Sequence, residues 1–456
     1  MKFTSEVVIG LEIHVQLDTK TKLFCSCRTQ GEDNPNTRTC PICLGHPGTR
    51  PTLNKKALEF AARFCLAVGS KIAPELIFSR KSYFYPDMSK NFQITQFEEP
   101  LGVGGKVQLK EGKNINLIRV HMEEDPAAIS YPGEMSKSSY SLIDYNRSGN
   151  PLIEIVTAPE MTSPEEARDF LNRLISILTY LKIFDVNRCI IKADANISIK
   201  ERDYTRVEIK NITGFKELEK ALNYEISRQK KEKVVQETRG WDGKITRSLR
   251  IKETEADYGY IIEPDLTIIK TKEFLNQKIP ELAHQKAAKY IQAYSIDPVD
   301  AEVMAMELEL AELFENVVQK VDPKLAAKWL RKELLRVLNY NKKSLKEVKL
   351  DEKYLVELLE LVERGTINDL TAQKIMEELV KNQFSPKDYV QRNKLEQISD
   401  GLEEVCRKVI SENKKAVDDY KLGSEKSLNF LVGQVMRQTK GRASPQAVSE
   451  IMKKLI

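Results

Sequence analysis

No apolar stretch in this 456-residue chain approaches the roughly 20 residues that a membrane-crossing helix needs. The N-terminal segment also fails to read as a secretory leader. Val7-Val8-Ile9-Gly10-Leu11-Glu12-Ile13-His14-Val15 carries polar groups at alternate positions, unlike the unbroken apolar core of a signal peptide. These absences lead us to expect a cytoplasmic protein with no membrane partner, whose seven cysteines stay reduced. Three nucleotide and hydrolase signatures are missing too. There is no G-x-x-x-x-G-K-[ST] phosphate loop, and Gly102-Val-Gly104-Gly105 reads as a turn between strands. There is no G-x-S-x-G elbow, and no cysteine has a recognisable glutaminase context. Internal repeats and low-complexity tracts are likewise absent.

The length implies two or three domains, and 41% hydrophobic with 30% charged residues suits folded domains with a soluble surface. Net charge is +5, concentrated at the end: Arg437, Lys440, Arg442, Lys453 and Lys454 stand against Glu450 alone. Such a basic terminus fits a phosphate-backbone partner or a solvated helical tail equally well.

Val7, Ile9, Leu11, Ile13, Val15 and Leu17 alternate onto one face of a strand, leaving Gly10, Glu12, His14 and Gln16 on the other. Strands are also expected over Ile115–Met122, Pro151–Thr157, Ile190–Lys200 and Thr205–Asn211. Helices separate them, notably Asn54–Val68, closed by Gly69, and one opened by the capping box Ser163-Pro164-Glu165-Glu166. Beyond about residue 293 the strand signal ends. Pro298–Val321, Pro323–Leu338, Leu350–Arg364 and Thr371–Asn382 read as amphipathic helices, with a polar linker near Asn393–Asp400.

Three constellations could carry chemistry. Cys25-Ser-Cys27 and Cys40-Pro-Ile-Cys43 can converge four thiolates into the tetrahedron of a structural zinc site, with His46 as a less favoured ligand. Glu12 and His14, two apart on a strand, point to one face about 7 Å from each other. Glu154 lies in the otherwise apolar run Leu152–Val156, where an unpaired carboxylate is costly, so it must meet a cation, a metal or a protonated partner. His121-Met122-Glu123-Glu124-Asp125 ends another strand with three consecutive acids, and these groups together form a candidate divalent-metal site. In the third constellation Asp194, Asn196 and Ser198 share one strand face, and Arg206, Glu208 and Lys210 share one face of the next. That arrangement reads either as an exposed polar hairpin or as the wall of a cleft with Arg206 and Lys210 facing phosphates.

These motifs, taken in order, resemble the family of aspartyl/glutamyl-tRNA(Asn/Gln) amidotransferase B subunits. The resemblance rests on Val8–Leu17, Lys81-Ser-Tyr83-Phe-Tyr85-Pro86-Asp87, Gln93-Ile-Thr-Gln96-Phe97 and His121–Asp125. It continues through Asp144-Tyr-Asn146-Arg147-Ser-Gly149-Asn150-Pro151-Leu-Ile-Glu154-Ile-Val, Arg206-Val-Glu208-Ile-Lys210-Asn211 and Asn429–Met436 with Gly441-Arg-Ala.

What the resemblance implies is specific. The fold would be α+β: a mixed-sheet, cradle-like catalytic domain over residues 1–292 carrying a zinc loop near 25–43, an all-α helical domain over 293–398, and a small all-α tRNA-binding tail over 399–456. The activity would be that of a ligase subunit which uses ATP and Mg²⁺ to phosphorylate the side-chain carboxylate of Glu-tRNA(Gln) or Asp-tRNA(Asn). Ammonia from a partner amidase subunit would then displace the phosphate. A small third subunit, the misacylated tRNA and the cognate non-discriminating aminoacyl-tRNA synthetase complete the implied partners. By motif, Glu12, His14, Glu124 and Glu154 correspond to metal positions, with Lys210 beside them in the chemistry. His14 suits Mn²⁺ better than Mg²⁺. On the cleft reading of the third constellation, and not by carry-over from the family, Lys81, Tyr83, Tyr85, Arg147, Asn150, Asp194, Arg206 and Glu208 would hold the nucleotide or the tRNA 3′ end, the tyrosines by stacking. Arg437, Lys440 and Arg442 would contact tRNA from the tail.

Two positions depart from the family pattern: Pro126-Ala127-Ala128 follows the acids in place of Ala-Gly-Lys, and Lys192-Ala193-Asp194 stands in place of Arg-Cys-Asp. Competing readings are a zinc-stapled tRNA-recruitment module without its own chemistry, and a free-standing metallohydrolase. A pure binder has little use for a buried Glu154.

Overall fold

The computed structural model describes residues 3–31, 34–133, 138–251, 259–398, 401–439 and 441–456. The chain separates into two compact units, Met1–Leu282 and Ala283–Ile456. The division falls at 282/283 and not at the expected 292/293, because helix Ala283–Tyr294 packs on helix Pro298–Met306.

The first unit is built on a mixed sheet of ten strands among the described residues. Its long strands are β1 (Val7–Gln16), β2 (Asn114–Glu124), β3 (Pro151–Thr157), β4 (Ile191–Ile199), β5 (Val207–Ile212) and β6 (Glu237–Trp241). They lie in the order β6-β5-β4-β1-β3-β2. Neighbours are antiparallel except β5 and β6, which run parallel and are joined through helix α3 (Phe215–Lys231), as a parallel pair requires. Helices α1 (Lys55–Val68) and α2 (Pro164–Tyr180) precede α3 in the chain.

The alternation in β1 determines the layering. Ile9, Leu11, Ile13 and Val15 are at most 2% exposed, and burying each such side chain contributes about 1.5–3 kcal/mol. α1 packs against β2, α3 against β4 and β5, and α2 against both helices, so the apolar sheet face is covered by helices. The other face keeps the polar residues of each strand. α1 ends as expected: Asn54 accepts from the Lys56 and Ala57 amides, and Gly69 closes the helix at φ 75°. α2 forms only half of the expected capping box. Ser163 Oγ accepts from the Glu166 amide at 3.2 Å, but the Glu166 carboxylate turns to the Thr162 amide and to Lys113 Nζ, both at 2.7 Å.

The second unit is helical throughout its described residues. Asp297-Pro298, Asp322-Pro323, Ser385-Pro386 and Ser444-Pro445 each begin a helix. In each case the side chain of the first residue accepts a first-turn amide and the proline fills a position that needs no donor. The helix expected over Pro298–Val321 is two, Pro298–Met306 and Leu308–Val317, broken at Glu307 (φ −105°, ψ 126°). No proline or glycine marks that break. The last four helices enclose a core of their own around Cys406, Val409, Leu431, Val435, Val448 and Met452. No described helix is long and apolar enough to cross a membrane.

Candidate active site and thiol cluster

Strand register builds a row of side chains across the polar face. Lys192 of β4 lies opposite His14 of β1, His14 opposite Glu154 of β3, and Glu154 opposite His121 of β2. Because side chains of a strand alternate, Glu12 joins from one position back on that face and Glu123 from one position on. Glu154 is the centre. Its carboxylate lies 3.4 Å from His14 Nε2, 3.3 Å from His121 Nε2 and 3.7 Å from Arg119 Nη2. Glu123 completes the ring, 3.5 Å from His14 and 3.7 Å from His121. Glu12 and His14 each present a ligand atom within 4.8 Å of one from Glu154, as do His121 and Glu123.

Electrostatics follow from that crowding. Burial opposes charge on His14, yet the hydrogen bond to Glu154 and the charges of Glu123, Glu154 and Glu12 push its pKa up to about 10. His121, wholly enclosed, is raised to about 9 by Glu154 and Glu123 in the same way. Against the pull of burial, His121 and His14 hold Glu154 well below the usual carboxylate range. Glu12 goes the other way: burial and then the charge of Glu154 raise it. Three carboxylates thus share two imidazoles, and His121 Nδ1 is buried without a hydrogen-bond partner. This oxygen-rich donor set with added imidazole fits a divalent cation such as Mg²⁺ or Mn²⁺.

Glu124 does not join this group. It follows Glu123 on a pleated strand and so points to the opposite face, where it pairs with Lys90 and accepts the Ile94 amide at 2.9 Å. Glu123 and His121 belong to the acidic constellation read from the sequence, but the family motif singled out Glu124 in their place. Their signal was available in the period-two spacing of 121 and 123, but it could not be read without the phase of β2. Pro159 covers Gly10 on that strand: a Cβ there would sit 3.5 Å from the proline Cα.

Lys210 joins Asp194 and Glu208, both at 2.8 Å, and Thr238 donates to Glu208 at 3.0 Å, so the second polar wall exists as a closed network. Asp194 is the register neighbour of Glu12, which connects this network to the acidic ring. Arg206 is exposed just before β5. Arg147 acts as a tether, 3.3 Å from Asp125 and donating to the Pro126 and Ala127 carbonyls at 3.0 and 2.6 Å. Asn150 is buried with its side-chain oxygen unpartnered, while its carbonyl accepts the Asp125 amide. Lys81 is half-buried with Nζ 6.0 Å from the Tyr83 ring, and Tyr85 is exposed. Beside Lys81 stands an aromatic pair that the sequence did not announce: Tyr260, its strand partner, stacks on Phe97 at 3.9 Å. In the second unit Arg437 is exposed, whereas Arg442 donates to the Lys394 and Thr439 carbonyls at 3.1 and 3.4 Å. Lys440 lies outside the described residues.

Cys25, Cys27, Cys40 and Cys43 form the expected cluster, their sulfurs within 4.8 Å of one another, and His46 is exposed outside it. A tight turn shapes the second pair: the Leu44 amide bonds the Cys40 carbonyl at 3.0 Å, and the Cys40 amide donates to Cys43 Sγ at 3.2 Å. Gly45 (φ 71°) is required there, since a Cβ would meet Lys90 Cγ at 2.5 Å. Lys22, fully buried, places Nζ 3.6 Å from Cys43 Sγ and 3.2 Å from the Tyr145 carbonyl. The hydrogen bond from Cys25, opposed by burial and helped by Lys22, brings the Cys43 thiol down to about 4, whereas burial lifts Cys27 to about 11. A low-pKa thiolate beside a buried ammonium is what a four-thiolate metal site needs to offset its surplus negative charge.

Comparison with known proteins adds an independent line. The model of the GatB/GatE catalytic domain matches residues 7–276, and that of the GatB domain matches residues 312–456. The chain is 41% identical to a protein of Carboxydothermus hydrogenoformans over 98% of both chains. It is 42% identical to one of Thermodesulfovibrio yellowstonii over 99% of both, and 42% identical to one of Methanoregula boonei over 98% of both. All three are named as the B subunit of an aspartyl/glutamyl-tRNA(Asn/Gln) amidotransferase.

Proposed function

The chain belongs to the GatB family, and from that premise we propose that its acidic ring activates the side-chain carboxylate of a misacylated tRNA by phosphoryl transfer from ATP. The protein is a subunit of a tRNA-dependent amidotransferase, a ligase-type transamidation enzyme. Membership of such an enzyme implies partner subunits and tRNA. The specific partners proposed are an amidase that releases ammonia from glutamine, a small third subunit, and Glu-tRNA(Gln), Asp-tRNA(Asn) or both.

One observation carries the reading: Glu12, Glu123 and Glu154 converge with His14 and His121 on a largely buried sheet face. Carboxylates crowded in low dielectric repel one another, and a recruitment module gains nothing from them. In the first step a carboxylate oxygen of the aminoacyl group attacks the γ-phosphorus of ATP. A new O–P bond forms, the bond to the β–γ bridging oxygen breaks, and ADP leaves. Ammonia then adds to the carbonyl carbon, the C–O bond to phosphate breaks, and the surplus proton departs with the phosphate. Two anions must meet in the first step, so positive charge at the site lowers the barrier. A divalent cation held by Glu12, His14, Glu123 and Glu154 would supply part of it. Lys210 offsets part of the negative charge of Asp194 and Glu208, and Arg147 fixes Asp125 at the end of β2.

The decisive experiment is ATP turnover by the reconstituted complex with ammonium as nitrogen source, comparing misacylated Glu-tRNA with uncharged tRNA. Dependence on the misacylated species, with Gln-tRNA formed, is expected; equal turnover on both sinks the reading. In the same assay Arg437→Glu should raise the KM for tRNA about fivefold and leave kcat unchanged, as expected for one phosphate contact. An unchanged KM would remove the tail's exposed arginine from the tRNA path.

For the thiol cluster we assign a structural zinc, bound by Cys25, Cys27, Cys40 and Cys43. The loop is fastened to the 144–150 segment: the Arg38 amide donates to Asn146 Oδ1 at 2.6 Å, the Tyr145 amide to Asn36 Oδ1 at 2.7 Å, and the Leu23 amide to the Gly149 carbonyl at 2.8 Å. Purified protein should contain about one zinc per chain. Cys40→Ser should lose it and lower the thermal midpoint by about 10 °C, because metal binding at such a site is folding energy. Elemental analysis with calorimetry checks this, and a zinc-free protein of unchanged midpoint would refute the assignment.

A further inference from the structure

Lys192 closes the central cross-strand row at the end away from His121, and the proposed chemistry has not used it. It lies directly opposite His14 on the polar face, two strands from Glu154. Its neighbours of like charge are all engaged. Lys210 bonds Asp194 and Glu208 at 2.8 Å, Arg147 holds Asp125 and two carbonyls, Lys90 pairs with Glu124, and Arg119 leans on Glu154. Among the described residues Lys192 makes no hydrogen bond and no ion pair. It is nevertheless half-buried, and the charges of Asp125, Asp194 and Asp87 act on it together with the opposing charge of Arg147. A lysine kept partly out of water without a partner is costly unless something anionic arrives to meet it.

We infer that Lys192 Nζ is the protein's own cation for the phosphoryl oxygens at the acidic ring, contacting the transferring phosphate and then the acyl phosphate beside Glu12 and His14. The inference rests on the phosphoryl-transfer reading of that ring and adds a substrate-touching residue to it. The geometry suits the role. Glu154 and the two imidazoles fill the row up to His14, so a phosphate drawn to a cation held there extends onto the next strand, where Lys192 stands. Its ammonium offers three donors on a flexible stem, able to follow the phosphorus as the bond to ADP lengthens and the bond to the carboxylate forms. The bland alternative is that Lys192 only balances Asp125, Asp194 and Asp87. That role would affect folding and would leave anion affinity untouched.

The test uses the reconstituted complex with Mg²⁺ and inorganic phosphate as probe, followed by calorimetric titration, alongside tRNA-dependent ATP turnover. Lys192→Met should weaken phosphate binding about tenfold and lower kcat about a hundredfold, with the KM for tRNA unchanged. Lys192→Arg, which keeps the charge, should bind phosphate within about threefold of the parent. If the methionine variant fails to fold, Lys192→Gln carries the same expectation. Phosphate affinity equal to the parent in the neutral variant overturns the proposal. Weakened phosphate binding in a complex whose parent shows no tRNA-dependent turnover would uphold Lys192 as an anion contact and overturn the phosphoryl-transfer reading instead.

Discussion

Glu154→Gln should lower tRNA-dependent ATP turnover by about 10³-fold while tRNA affinity stays within about twofold of the parent. The substitution keeps the shape of the side chain and removes the charge on which the ring is organised. Glu154 is the only carboxylate shared by both three-residue metal-competent groups, and it lies within 3.4 Å of both imidazoles. Without its charge, His14 and His121 lose the anion that contributes most directly to their raised pKa values, and a divalent cation loses the oxygen both groups share. Mn²⁺ binding followed by electron paramagnetic resonance should therefore fall together with turnover. A joint loss locates the defect at the metal. Turnover at the parent's level would show that the acidic ring is not where ATP reacts, whatever becomes of Mn²⁺.

Some elements follow from local pattern alone and others do not. In β1 the alternation of Val7 through Leu17 determined both the buried face and the direction of Glu12 and His14, because period two leaves only one way to lay such a strand on a core. The cysteine pairs were equally legible, since four thiols at that spacing have few arrangements in a short loop. The acids of β2 were not. Three in succession carry no phase, and motif transfer settled on Glu124 where the pleat delivers Glu123. Arg147 and Arg442 read as phosphate contacts because an arginine beside a motif looks available. Only the folded backbone shows that each caps carbonyl oxygens. The hairpin that β6 forms with the antiparallel strand Thr246–Ile251 went unread for a related reason. Its first strand pairs parallel with β5 through α3, a long-range connection that no local pattern announces.

The pair Glu123→Gln and Glu124→Gln turns that distinction of phase into a measurement. Glu123 lies among like charges: Glu154 contacts the same two histidines, so losing one carboxylate relieves repulsion and should leave the thermal midpoint within a few degrees of the parent. Its absence strips an oxygen from the ring, and turnover should drop about a hundredfold. Glu124 behaves in the opposite way. Its partner Lys90 is only 9% exposed at the side chain, packed over Phe92 and under Gly45, so neutralising Glu124 strands a buried ammonium. Breaking a buried pair from one side costs about 3–5 kcal/mol, which in a unit of this size lowers the midpoint by about 10 °C. At temperatures where that variant remains folded, turnover should stay within about fivefold of the parent, because no atom of the ring has been touched. The reverse pattern, with Glu124→Gln inactive yet stable and Glu123→Gln active, would place the metal on the other face of β2. It would also undo the register argument on which both the acidic ring and the role of Lys192 depend.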